Sequence, residues 1–233
     1  MFGNTMFFLV FDLFFGIIPP IFFAFCLSII KSKKLSGVLR ALMFIPAIVP
    51  GIATLLIWKV GIFGDSGILN QIVCLFKTGH TYSDTYVPIA FLHDEKISRW
   101  SLLLMGFPYV GGYLIFYGGI MNIPKEYDEA CQLEGLGVVK RFLSIDIPLI
   151  KPQIKYIFVM GILNSVQNYE RTYMLGSSGT RTFVESMYRQ MKDVANPNYG
   201  LASAYATLIF VMLLFPVLWN FRKTKKDTLG DML

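Results

Sequence analysis

Four polar side chains interrupt an apolar run late in the chain: Asn164, Gln167, Asn168 and Arg171, spaced i, i+3, i+4 and i+7. On a helix this spacing puts them on one face. Amides and a guanidinium offer donors and acceptors to hydroxyl groups, and aromatic rings offer flat surfaces to C–H faces, so the set suits a solute such as a sugar. The same side chains can instead hydrogen-bond a neighbouring helix. Chemistry of the bond-making kind is not apparent. Gly176-Ser177-Ser178-Gly179 lacks the spacing of a nucleophile elbow and has no strand before it. His80 and His93 sit in a mixed polar segment and read as solvated rather than metal-binding. Cys26, Cys74 and Cys131 have neither C-x-x-C spacing nor an even count, which argues against a disulfide framework or a zinc site. There is no G-x-x-x-x-G-K-[ST] loop to cradle a phosphate. The reading is a protein that moves or binds something, with no catalytic residues, no metal and no cofactor of its own.

The elements that would hold these residues are membrane helices. Of 233 residues, 55% are hydrophobic and 15% charged, against about 25% charged in a soluble domain; the mean hydropathy is +0.56. Five runs, at 6–30, 41–63, 100–121, 154–175 and 201–221, reach the length of about 20 residues that a bilayer requires. Each is too long for a strand, so the expected fold is an all-α membrane protein with five transmembrane helices. Pro19-Pro20, Pro46, Pro50 and Pro108 fall inside these runs and predict kinks. Tyr109, Tyr113 and Tyr117, at i, i+4 and i+8, predict a packing stripe on the third helix. Asp12 lies near enough to the start of its run to be hydrated, and Glu170-Arg171 forms a neutralising pair.

The excess of 21 Lys and Arg over 15 Asp and Glu follows topology rather than a nucleic-acid surface. Thirteen of the cations fall in the loops 31–40 and 122–155 and the tail 222–233, and six in the alternate loops. The richer set is cytoplasmic, which places the C-terminus inside and the N-terminus outside. Residues 1–5 carry no signal peptide. The expectation is therefore a six-helix core whose first helix is missing from this chain.

The inward loop, residues 122–152, reads NIPKEYDEACQLEGLGVVKRFLSIDIPLIKP. Pro124 suits a first helical turn, and Glu126, Asp128 and Glu129 follow near the positive end of its dipole. Gly135 and Gly137 suit a helix end. A second short helix, about 138–145, is expected to stop before Pro148. Such a helix–turn–helix can enter a groove on a partner, or it can rest on headgroups as an amphipathic connector.

This segment resembles the EAA loop of binding-protein-dependent ABC importer permeases. Glu129-Ala130-Cys131 matches E-A-A with Cys in third place, Gly135 and Gly137 match the small-residue turn, and Ile145-Asp146-Ile147-Pro148 matches I-x-L-P. Further landmarks follow the carbohydrate importers in order: Asn4-Thr5, Arg40 with Phe44-Ile45-Pro46, Trp58 with Gly67-Ile68-Leu69-Asn70, Ile123-Pro124, and Tyr199-Gly200 with Ala202 and Ala204. The tail lacks the Q-R-Y-type ending of one of the two subunit types, so the chain is similar to the maltose-type first permease.

The resemblance implies one permease domain over residues 1–233, with 122–152 as its coupling loop. It implies a multi-pass protein of the cytoplasmic membrane that moves a sugar or oligosaccharide. Its partners would be a second permease subunit in a heterodimer, two cytosolic ATPases carrying ATP and Mg, an extracytoplasmic solute-binding protein and the lipid bilayer, with no nucleic acid. Glu129, Ala130, Cys131, Gly135, Gly137 and Pro148 would serve ATPase coupling; Asn164, Gln167, Asn168 and Arg171 would line the substrate path. A permease for another solute class, or a non-transporting copy, would share the loop.

Overall fold

The computed structural model describes residues 1–80 and 86–230, with side chains through residue 218. The basic tail residues Arg222, Lys223, Lys225 and Lys226 lie outside the described side chains. Among the described residues the chain is helical, with no strand. In order it forms α1 (Phe2–Ile29), α2 (Lys33–Ile48), α3 (Gly51–Leu56), α4 (Ile68–Thr78), α5 (Ser98–Leu104), α6 (Tyr113–Met121), α7 (Lys125–Leu133), α8 (Val138–Arg141), α9 (Ile147–Leu149), α10 (Lys151–Gln167), α11 (Glu170–Leu175), α12 (Phe183–Lys192) and α13 (Tyr199–Gly230).

Among the described residues, two helices are long and apolar enough to cross a bilayer, α1 and the Tyr199–Leu218 part of α13. A third candidate is the pair Lys33–Ile48 and Gly51–Ile62, bent by 88°. The expectation of one helix per apolar run is corrected at three places. Run 41–63 breaks ahead of Pro50, which has no N–H to donate and pushes its predecessor out of the helical region. Run 100–121 is interrupted between α5 and α6, where Pro108 and the left-handed Gly112 (φ +77°) stand. Run 154–175 breaks between Gln167 and Glu170, where Asn168 offers its own side-chain oxygen to the Arg171 N–H at 3.5 Å. Pro19-Pro20 and Pro46 lie within helices that continue past them.

The tyrosine stripe is also corrected. Tyr109 takes φ +56°, outside any helix, and stacks on Phe15 with ring centroids 4.3 Å apart. Tyr113 and Tyr117 remain on α6 and share one partner. Tyr113 donates to the Arg40 carbonyl at 2.7 Å, and the Arg40 guanidinium lies 5.2 Å over the Tyr117 ring.

The chain forms two compact units. The first comprises Met1–Phe11, Val49–Phe107 and Asn164–Leu214. Val166, Val184 and Ile209 form a core there, with Leu9, Tyr169 and Phe183 packed on it. Asn4 donates to the Gly179 carbonyl at 2.7 Å and the Arg181 carbonyl at 3.0 Å, which pins the loop before α12. Thr182 caps α12 by accepting from the Glu185 N–H. Glu185 is fully buried and accepts from Arg189 Nε at 2.7 Å. Asn70 is buried and ties α4 to its surroundings: it donates to the Gly64 and Ile89 carbonyls and accepts from the Ile89 N–H and the Tyr86 hydroxyl. Gly67 is there for space, since a Cβ would sit 2.6 Å from the Ile62 carbonyl oxygen.

The second unit comprises Asp12–Ile48, Pro108–Leu163 and Phe215–Leu233. Ile21 and Ala24 of α1, Phe116 and Ile120 of α6, and Phe142 and Ile150 form its main core. A smaller cluster joins Leu27, Val110 and Tyr113. This core carries the short helices that follow α6.

Candidate functional site

Residues 122–152 fold as an elbow of two arms within the second unit. The first arm is α7. Pro124 precedes it, and Glu126 and Asp128 stand in its first turn, where the macrodipole favours negative charge. The arm ends in a hydrogen-bonded left-handed cap. The Leu136 N–H donates to the Cys131 carbonyl at 2.9 Å and the Gly135 N–H to the Gln132 carbonyl at 3.2 Å. Gly135 takes φ +65° at the position where such a cap needs a left-handed residue. The expectation for this glycine is met by the backbone.

Gly137 is different. Its φ is −67°, within reach of any residue, and a Cβ there would meet nothing within 4 Å. This chain itself therefore does not require its small size.

The second arm runs through α8, a wide turn at Phe142–Asp146 with i→i+5 geometry, and α9. It does not stop before Pro148. A proline ring would collide with the carbonyl four residues back in a regular helix, and the widened turn just ahead moves that carbonyl aside. Phe142 is buried and stacks on Phe25 of α1 with centroids 4.0 Å apart. Gly119 of α6 lies against Ile150 and Gln153, close enough that a Cβ would be 3.1 Å from each. The second arm is thus seated firmly on α1 and α6.

Charge joins the arms. Arg141 Nη1 hydrogen-bonds Asp128 Oδ1, and Arg141 Nε lies 3.5 Å from Asp146 Oδ1. Asp146 is only 4% exposed. Burial pushes its carboxyl above the ordinary carboxylate range; Arg141 draws it back down and Asp128 adds to the rise. A pocket of ≈ 380 Å³ beside these groups is lined by Ser28, Lys31, Gln132, Asp128, Arg141 and Asp146, among others.

Of the coupling residues read from the sequence, Glu129, Ala130, Gly135, Gly137 and Pro148 are exposed, while Cys131 is buried under the first arm. Tyr127, Leu133, Val138, Val139 and Leu143 add exposed apolar surface, Leu133 at 90%. Sequence reasoning missed Arg141 and Asp146, because a spacing of five residues signals no contact in a regular helix. It also passed over Glu185, although Thr182-x-x-Glu185 is a visible helix-start signature.

The polar set lies in the first unit. Asn164 and Gln167 are exposed on the last turns of α10. Asn168 is exposed at the break, and Arg171 lies beyond it on α11 with its guanidinium 4.5 Å over the Phe8 ring. The single shared face expected for the four holds for Asn164 and Gln167; the break at Asn168 separates the other two from it. Tyr169 stacks on Tyr188 beside them at 4.2 Å. His80 and His93 are exposed.

The chain is 26% identical over 208 residues to the probable ABC transporter permease protein YesP of Bacillus subtilis (85% of this chain, 65% of YesP). It is 26% identical over 193 residues to the arabinooligosaccharides transport system permease protein AraP of the same organism (79% of this chain, 59% of AraP). It is 24% identical over 198 residues to the trehalose/maltose transport system permease protein MalF of Thermococcus litoralis (82% of this chain, 63% of that protein). The chain thus spans less than two thirds of the length of these relatives. In fold it matches a chain of a bacterial ABC transporter involved in import of the acidic polysaccharide alginate, with a TM-score of 0.84 at 18% identity, covering 96% of this chain and 77% of that one. The pattern of the binding-protein-dependent transport system inner membrane components matches residues 16–222, and the chain belongs to that family.

Proposed function

We propose that this chain is a permease subunit of an ABC importer for a sugar or oligosaccharide, and a transporter subunit rather than an enzyme. Residues 1–233 act as one permease domain in the cytoplasmic membrane, in a core of five or six helices with the C-terminus inside. A second permease completes the path, an extracytoplasmic binding protein delivers the solute, and two cytosolic ATPases supply ATP hydrolysis with Mg. The elbow at 122–152 is the EAA coupling loop. The observation that carries this reading is a first arm exposing Glu129 and Ala130, joined through a fixed cap at Gly135 to a second arm seated on α1 and α6. Such an arm can transmit displacement. Carbohydrate is favoured by relatives named for arabinooligosaccharides, galactooligosaccharides and trehalose/maltose. Asn164, Gln167, Asn168 and Arg171 line the path; a helix broken at membrane depth is a common way to build such a site.

The test uses the assembled importer in proteoliposomes. Glu129→Lys and Gly137→Leu are expected to cut solute uptake by about tenfold or more, the scale of one lost contact at about 1.4 kcal/mol, while the binding protein still binds solute. Gly137→Leu is informative because nothing in this chain stands in its way. Full uptake by both variants contradicts the coupling role; uptake of an amino acid or peptide instead of a sugar contradicts the solute class.

A further inference from the structure

We propose that Arg141 is a positioning residue that locks the two arms of the elbow into one rigid piece, holding Asp128 on the first arm and Asp146 on the second. This deepens the coupling role proposed above and rests on it. The geometry starts at Pro148. The wide turn at Phe142–Asp146 stands just ahead of it and accommodates its missing N–H and its ring. In a regular helix residue 145 would come round beside residue 141; in this turn Asp146 does, and Arg141 Nε lies 3.5 Å from its Oδ1. Asp146 is buried, and its carboxylate draws the guanidinium inward by charge, although Arg141 Nε and Asp146 Oδ1 make no hydrogen bond with each other. Nη1 is thereby presented to Asp128 on α7. A guanidinium can face two carboxylates at once because its nitrogens are held in a planar fork; here it donates to Asp128 and stands beside Asp146.

Asp128 immediately precedes Glu129 and Ala130. Holding Asp128 therefore fixes the rotation of the exposed face that the partner would grip. The second arm is anchored by Phe142 on Phe25 and by buried Ile150. Without Arg141 the side chains of the two arms would lose this link, leaving the backbone of residues 135–137 to hold the angle between them. Two arms joined at one narrow connection can rotate about it, and a lever that yields there loses stroke. Arg141 and Asp128 are partly exposed, so their contact adds little to stability. Its consequence is geometric.

Two readouts test this. The first is the distance distribution between spin labels at Glu126 and Ser144, one exposed residue on each arm, in the full chain with exposed Cys26 replaced by Ser. The second is the number of ATP molecules hydrolysed per solute imported by the assembled transporter. The wild-type distribution is expected to be narrow. Arg141→Gln and Asp128→Asn should each broaden it and raise the ATP-to-solute ratio several-fold, and Asp128→Glu should restore much of both. Lys31→Gln, which removes the other cation lining the same pocket, should change neither. A narrow distribution in both Arg141→Gln and Asp128→Asn overturns the proposal, as does an unchanged ratio in an importer that assembles normally. If the ATPases do not bind even the wild type, the coupling role fails, while the label distances still decide whether Arg141 joins the arms. Asp128 is partly exposed, so its Asn variant tests the contact without disturbing the core.

Discussion

Gly135 and Gly137 stand two residues apart and serve different needs. Gly135 is left-handed, and the cost of a side chain there is a backbone cost: about 1–2 kcal/mol for an ordinary residue. Gly135→Ala is therefore expected to lower local stability by about 1 kcal/mol, read as reduced amide-exchange protection of α7. Gly135→Asn should lose less, since Asn tolerates the left-handed region. The same change at Gly137 should leave protection as it is, because its backbone is ordinary and the space is open. Both glycines were legible in the sequence as a turn. Their division of labour was not, because it depends on which one closes the cap on Cys131 and Gln132. Asn70 and Asn4 were likewise legible as landmarks by resemblance alone. Their physical work, holding loop carbonyls from buried or half-buried positions, depends on partners far away in sequence.

At the scale of elements, the elbow has a pH dependence with a definite sign. The Asp146 carboxyl is raised above its unfolded value by burial, with Arg141 opposing. Folding therefore favours its protonated form. The associated stability is fully present below the unfolded value of about 3.9 and is lost as pH rises through the raised native value. Exchange protection of the second arm, corrected for intrinsic rates, is expected to fall across that window in the wild type. In Asp146→Asn, which removes the titrating carboxyl at nearly constant size, it should stay flat. An identical fall in both would mean that another group is responsible. Helix content was legible from the apolar runs, and so was the first arm, from Pro124 to Gly135. The breaks were less so. Pro50 and Pro108 signalled two of them, whereas the break at Asn168 arises from a side chain competing locally with the backbone inside an otherwise helical run. Pro148 misled in the other direction: it reads as a stop, yet a widened turn absorbs it and the arm continues.

For the whole molecule, composition and apolar run lengths were enough to indicate a helical membrane protein, and the ordered landmarks indicated a family. The pattern match over residues 16–222 bears out that family. The two units place the elbow in one and the polar set in the other. α10 directly follows the elbow in the chain and carries Asn164 and Gln167 in its last turns. Everything in the functional reading depends on the exposed first arm meeting a nucleotide-hydrolysing subunit on the inner side of the membrane. The direct measurement is to place a photocrosslinking amino acid at Glu129 in the assembled membrane complex, irradiate it, and identify the adduct by mass spectrometry. A covalent adduct with the ATPase subunit is expected. An adduct with the extracytoplasmic binding protein, or with lipid alone, contradicts an inward-facing coupling elbow.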